Sequence, residues 1–236
     1  MVVGVVVFPG SNCDRDSLWA VESALGERAR FIWHRDTDLV GIDMVILPGG
    51  FSYGDYLRTG AFARFSPIMK SVREFAEGGG LVIGICNGFQ VLLESGMLPG
   101  AMIANKGLRF ICKDVYIRVE RGGTAFSAGM SNGDVLRMPV AHFEGNYFAD
   151  EETLEEIESN GRVLFRYCDE SGVVSKDINP NGSSHNIAGL VNERGNVLGM
   201  MPHPERCSES ILGSTDGLGI FASIRDRINM MERIGV

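Results

Sequence analysis

No run in the sequence approaches the roughly 18 uninterrupted apolar residues of a transmembrane helix, so no membrane span is expected. Basic runs are also missing. The 22 Lys and Arg stand against 30 Asp and Glu, a formal net charge of −8, and such a field counts against binding to phosphate backbones. There is no CxxC pair and no Cys/His cluster with zinc spacing. The five cysteines (Cys13, Cys86, Cys112, Cys168, Cys207) are odd in number and scattered, which fits reduced thiols in a cytoplasmic protein better than a disulfide frame and gives no reason to expect a metal. The apolar start Val2 to Phe8 has no basic flank and runs straight into Pro9-Gly10-Ser11-Asn12, the pattern of a first strand rather than a signal peptide. Gly78-Gly79-Gly80 lacks the following Lys of a phosphate loop, so ATP chemistry is not expected on this chain. With no internal repeat, low-complexity tract or linker, residues 1–236 are expected to form one domain.

What the chain has in excess is glycine: 31 of 236 residues, about 13% against a typical usage of roughly 7%. Its placement follows a regular alternation. Val2 to Phe8, Phe31 to Trp33, Met44 to Leu47 and Leu81 to Ile85 read as buried strands. Between them lie a helix capped by Ser11 or Asn12 and running to about Leu25, and another opened by Ser66-Pro67 and closed at Gly78. Asn87 to Ser95 reads as a third helix. This order predicts an α/β fold of the doubly wound, flavodoxin-like kind: a mostly parallel sheet with helices on both faces and its ligand site beyond the carboxyl ends of the strands. Residues 108 to 119, Val135 to Phe143 and Val163 to Cys168 read as added antiparallel strands. Glu170 to Asn186 reads as a polar loop or hairpin, and about Gly217 to Arg233 as a closing helix.

The glycines fall mainly where strands end, and one such place carries chemistry. Gly84-Ile85-Cys86-Asn87-Gly88-Phe89-Gln90 has the G-x-nucleophile-x-G arrangement of a strand-to-helix elbow. The tight turn strains and exposes Cys86, sets its thiol at a helix N-terminus that favours the thiolate, and points the Asn87 N–H at a developing oxyanion. The competing reading is a buried structural cysteine among close-packed glycines. A cysteine nucleophile needs a base. In Met201-Pro202-His203-Pro204-Glu205 the prolines enforce extended chain, which puts His203 and Glu205 on one side, with Glu205 holding one ring nitrogen and the other left for Cys86. Without the elbow the same residues would read as an exposed proline-rich turn. Pro48-Gly49-Gly50 ends the neighbouring strand, so the Gly50 N–H is a candidate second oxyanion donor; a glycine pair there can also be only a turn.

These segments together resemble the class I, or triad, glutamine amidotransferases. Three more narrow the resemblance: Phe8-Pro9-Gly10-Ser11-Asn12-Cys13-Asp14, Phe51-Ser52-Tyr53-Gly54-Asp55-Tyr56-Leu57-Arg58 and Ala141-His142-Phe143-Glu144-Gly145. They are similar to the branch of that family formed by the glutaminase subunits of phosphoribosylformylglycinamidine synthases in purine biosynthesis. The motifs run in family order from residue 8 to about 207, and the stretch from about 149 to 200 carries none.

The resemblance implies glutamine as substrate, Cys86, His203 and Glu205 as the catalytic triad, and Gly50 and Asn87 as the oxyanion hole. It further implies substrate contacts from Gln90 and from the backbone of the His142 to Gly145 segment, and a partner or gating role for Asp55 and Arg58. On the residues alone, a solvated helix position is the lesser alternative for Gln90, while His142 reads equally as a structural histidine, and Asp55 and Arg58 as a solvated loop. Free ammonia becomes ammonium in water and loses its nucleophilicity, so a protected route to a second protein is expected. The implied partners are a large synthetase subunit, which would hold ATP and Mg, and a small third subunit. No cofactor is expected on this chain. Two alternatives stay open: a cysteine γ-glutamyl hydrolase or amidotransferase of another pathway, and a non-enzymatic redox sensor, against which the paired His203 and Glu205 argue.

Overall fold

The computed structural model describes residues 1–234; residues 235 and 236 of the expected domain lie outside the described residues. The elements in chain order are β1 (Val2–Val7), α1 (Asp14–Trp19), β2 (Arg28–Trp33), β3 (Met44–Leu47), α2 (Pro67–Glu77), β4 (Leu81–Ile85), α3 (Asn87–Glu94) and β5 (Ala101–Ile103). They continue with β6 (Ile111–Val119), β7 (Val135–His142), β8 (Asn146–Phe148), α4 (Glu151–Ser159), β9 (Val163–Cys168), β10 (Ile187–Val191), β11 (Val197–Met200) and α5 (Leu218–Ile234).

The short Val- and Ile-rich runs do become strands, and they pair as the alternation with helices demands. The main sheet has the order β2-β1-β3-β4-β11-β10-β9-β6-β7. Its first five strands are mutually parallel, in the doubly wound order with β11 in the fifth place, and the remaining pairs are antiparallel. Every residue of β3, β4 and β11 is buried, which requires cover on both faces of the sheet. Among the described residues, no helix is long and apolar enough to cross a membrane.

Several local expectations differ. The first helix starts at Asp14, and after Trp19 it widens into a π turn over Ala20–Ala24. Neither Ser11 nor Asn12 caps it. The Ser11 hydroxyl accepts the Phe8 N–H at 3.2 Å, and Asn12 Oδ1 accepts the Cys13 thiol at 3.4 Å. Ser66 takes the extended backbone that Pro67 imposes on it, yet its hydroxyl pairs with Tyr53 Oη at 2.8 Å instead of capping α2. The β5–β8 ribbon, α4, β10 and β11 had no counterpart in the sequence reading. Of these β11 matters most. It sits beside β4 with Met200 opposite Ile85, and so delivers the chain at 201–205 next to the elbow. The carboxyl ends of β1, β3, β4 and β11 thereby meet at one edge, where Pro9–Asn12, Pro48–Gly50, Cys86 and Met201–Glu205 all lie.

Candidate active site

Cys86 is the hinge between β4 and α3, strained as the elbow predicts but buried rather than exposed. Its backbone has φ 50° and ψ −106°, a left-handed conformation that costs a non-glycine residue of order 1–3 kcal/mol and persists only where its surroundings enforce it. They do so on both sides. The Cys86 N–H is held by the Met200 carbonyl at 2.8 Å, and the Cys86 carbonyl receives the Gln90 N–H at 3.2 Å. The flanking glycines let the two elements close on each other: a Cβ on Gly84 would lie 2.6 Å from the Gly88 carbonyl oxygen, and one on Gly88 would run into the Leu47 carbonyl.

His203 follows β11 and is fixed by its N–H to the Pro139 carbonyl at 2.9 Å. Its Nδ1 lies 2.6 Å from Glu205 Oε1, with both side chains almost wholly buried. The pairing arises differently from the extended-chain expectation. Only His203 is extended; Pro204 opens a 3₁₀ turn through Cys207, where its missing N–H costs nothing, and Glu205 reaches back from the first position after it. The other ring nitrogen, Nε2, has no hydrogen-bond partner among the described residues. Burial alone would push the His203 pKa down, but Glu205, Cys86 and Cys13 outweigh it and hold the ring well above its ordinary value.

Gly50, at φ 135°, ends the turn after β3. Its N–H and that of Asn87, the first helical residue of α3, donate to no group among the described residues. Gly50 lines a pocket of about 170 Å³ together with Cys86, Gln90, Ala141, His142 and Glu144, and Asn87 directly follows Cys86 in the chain. The Asn87 side chain accepts the Ser52 N–H at 3.1 Å and donates to Gln90 Oε1 at 2.9 Å, and Gln90 Nε2 in turn donates to the Glu144 carbonyl at 2.6 Å. Gln90 is therefore a buried brace across the pocket and not a solvated helix residue. A larger cavity of about 820 Å³ between α4 and His185 contains none of the expected site residues.

Residues 1–217 match the family of CobB/CobQ-like glutamine amidotransferase domains. The chain is 58% identical over 228 residues, 97% of each sequence, to a phosphoribosylformylglycinamidine synthase subunit PurQ of Salinibacter ruber. It is 56% identical to one of Moorella thermoacetica over the full length of both. The chain belongs to the PurQ family of glutamine amidotransferases. A solved structure of PurLQS from Thermotoga maritima superposes with a TM-score of 0.85 at 42% identity, covering 96% of this chain and 98% of that one.

The remaining expected PurQ site residues divide. His142 is buried, with Nδ1 at 3.1 Å from Asn105 Oδ1 and Nε2 unpartnered among the described residues; burial and the neighbouring His203 push its pKa down to about 4, so the ring is neutral at ordinary pH. Gly145 does not line the pocket. Its N–H is spent on Asn105 Oδ1 and its carbonyl on Asn181 Nδ2, and its lack of a Cβ makes room for the His142 ring. Arg58 also stays outside, paired bidentately with Glu94 at the end of α3 at 2.5 and 2.7 Å. Asp55 does reach in. Burial and Glu144 raise its pKa to about 6, and its Oδ1 has no partner among the described residues. Thr59, which donates to Glu144 Oε2 at 2.7 Å, Glu144 and the anchoring Asn105 escaped the sequence reading as site residues. Glu144 lies inside the Ala141-His142-Phe143-Glu144-Gly145 motif; Thr59 and Asn105 carry no local signal.

Proposed function

We propose that this chain hydrolyses glutamine to glutamate and ammonia as the glutaminase subunit of a phosphoribosylformylglycinamidine synthase. The observation that carries it is the strained Cys86, opening into a pocket beside a buried His203–Glu205 pair and two unspent backbone N–H groups. Cys86 attacks the side-chain amide of glutamine, and the Gly50 and Asn87 N–H groups take up the oxyanion of the tetrahedral adduct. His203 protonates the departing ammonia, leaving a γ-glutamyl thioester on Cys86, and then takes a proton from the water that hydrolyses it. Glu205 keeps the imidazole oriented and stabilises its charged form. Gln90 holds the pocket wall against the substrate.

Asp55 and Glu144 suit the α-ammonium of glutamine, since they place two acids and no cation in the pocket lining. This makes binding pH-dependent. An Asp55 carboxyl titrating at about 6 is mostly uncharged below that pH and charged above it. The KM for glutamine is therefore expected to fall as pH rises through 6. Asp55→Asn should remove that dependence and raise KM by about tenfold, as loss of one modest ion pair does; initial rates between pH 5 and 8 check both.

Ammonia passes to the large synthetase subunit, the counterpart of PurL, with the small PurS as third member; ATP and Mg act there, converting formylglycinamide ribonucleotide to formylglycinamidine ribonucleotide. The exposed side chains of Phe51, Tyr56, Leu57 and Phe143 around the pocket suit burial against a protein partner in the cytoplasm. Mixing the chain with synthetase and small subunits, ATP, formylglycinamide ribonucleotide and glutamine should give product at a rate that the chain's omission abolishes and added ammonia restores. Glutamine hydrolysis without product in that mixture would leave a glutaminase and remove the purine assignment.

A further inference from the structure

The triad accounts for one of the buried thiols at the carboxyl edge of the sheet, and a second lies against it. Cys13, after β1, has its Sγ within 4.8 Å of a ring nitrogen of His203 and of a carboxylate oxygen of Glu205, all three residues being buried. The approach is close from another side too. A Cβ on Gly49 would lie 2.8 Å from His203 Cε1 and 3.1 Å from Cys13 Sγ, so ring, sulfur and the turn after β3 are in mutual contact at a place where only glycine fits. The Cys13 N–H is bonded to the Gly49 carbonyl at 3.3 Å, which fixes the thiol to that turn.

The sulfur is itself held. Arg206 Nη2 donates to it at 3.1 Å, while Arg206 Nε bonds Asp16 at 3.0 Å and lies 4.0 Å from Glu205 Oε1. The thiol donates to Asn12 Oδ1 at 3.4 Å. Cys, His and Glu together are a donor set that suits zinc, but a guanidinium directly on the sulfur opposes a cation there and uses the sulfur as a hydrogen-bond acceptor instead. An apolar side chain would fill the space without answering Arg206; a thiol does both.

Building on the glutaminase reading, we propose that Cys13 is a positioning residue for the general base: its sulfur, pinned by Arg206, Asn12 and Gly49, buttresses the His203 imidazole in the orientation that presents Nε2 to Cys86. Cys13 forms no bond to glutamine and is not a nucleophile. Its work is to restrict the ring and to add to the field that keeps the imidazolium stable. The titratable and charged groups that act on this ring are Glu205, Cys86, Cys13, His142 and Cys207, with Arg206 behind Glu205 and Cys13. Removing Cys13 takes away one of those that hold the proton on His203.

The test uses the complete synthase carrying Cys13→Ala or Cys13→Ser. In Cys13→Ala, kcat for glutamine-dependent synthesis should fall by about tenfold, the cost of a loosened catalytic group, with KM for glutamine within about twofold. The limb of the pH profile that reports His203 should move to lower pH. Cys13→Ser, which still accepts from Arg206 and donates to Asn12, should recover most of the rate, and ammonia-dependent synthesis should be unchanged in both variants. Wild-type kcat with an unmoved pH profile in Cys13→Ala would overturn the proposal. So would equal losses in the Ala and Ser variants, or a loss shared by ammonia-dependent synthesis. Glutamine hydrolysis surviving in Cys86→Ala would instead remove the glutaminase reading beneath it.

Discussion

Replacing Cys86 by alanine should lower glutamine-dependent synthesis by the assembled synthase by roughly 10³-fold or more, the loss seen when a covalent nucleophile is removed from a triad, while synthesis from added ammonia continues. Nothing else in the pocket replaces the thiol: its other lining side chains supply carboxylates, an amide, a hydroxyl, phenyl rings and the neutral imidazole of His142. The fold should tolerate the change. Alanine pays the same left-handed backbone cost at φ 50° as cysteine does, and the atom lost is a single sulfur. Thermal melting near that of the wild type, with glutaminase activity gone, separates a chemical loss from an unfolded protein. A diazo-ketone analogue of glutamine should label Cys86 alone. Burial pushes the thiols of Cys168 and Cys207 up to about 11 and about 12, which keeps them protonated and unreactive at neutral pH. Attachment at Cys13 would move the nucleophile to the other side of His203.

The elbow was legible in the sequence because it is local. A buried strand, two glycines around a cysteine and a helix start allow one geometry, and Cys86 adopts it. The same holds for Pro48-Gly49-Gly50, whose strand is the immediate neighbour of β4. His203 and Glu205 were legible as a pair, but the reason for their meeting was not: the extended chain expected there gives way at Pro204 to a 3₁₀ turn. Nor did the motif say how His203 reaches Cys86. That depends on β11 taking the fifth place in the parallel sheet, next to a strand more than a hundred residues earlier in the chain. Its four residues Val197–Met200 form an apolar run too short to declare its partner. Side chains on irregular backbone were the least readable. Tyr53, Asp55 and Leu57 all have positive φ, so no period of two or of 3.6 tells which of them turns inward; Asp55 does, while Arg58 turns away to Glu94. Gly145 sits in a recognisable motif, yet it lies outside the pocket lining and its missing Cβ makes room for the His142 ring.

Replacing Glu205 by glutamine should cost on the order of 10² to 10⁴ in kcat with little change in KM, the range expected when the residue that orients a catalytic histidine loses its charge. The carboxylate can only accept, so it fixes a proton on Nδ1 and leaves Nε2 as the nitrogen that exchanges its proton with the thiol of Cys86. An amide of the same shape can present its NH₂ to Nδ1 instead, which moves the ring proton to Nε2, where it blocks uptake of another. The charge matters as much as the tautomer. Without Glu205 the burial of His203 is no longer outweighed as strongly, its pKa falls, and the imidazolium that must form during attack becomes costlier. Stability should show the same coupling with a defined sign. Since the folded-state pKa of His203 lies well above the unfolded value of about 6.5, the pair contributes fully below that pH and its contribution is lost as pH rises through the raised value. The denaturation gap between wild type and Glu205→Gln should therefore be widest in mild acid and narrow toward alkaline pH. A gap that widens with pH, or a kcat left intact, would mean that Glu205 only fills space beneath the ring.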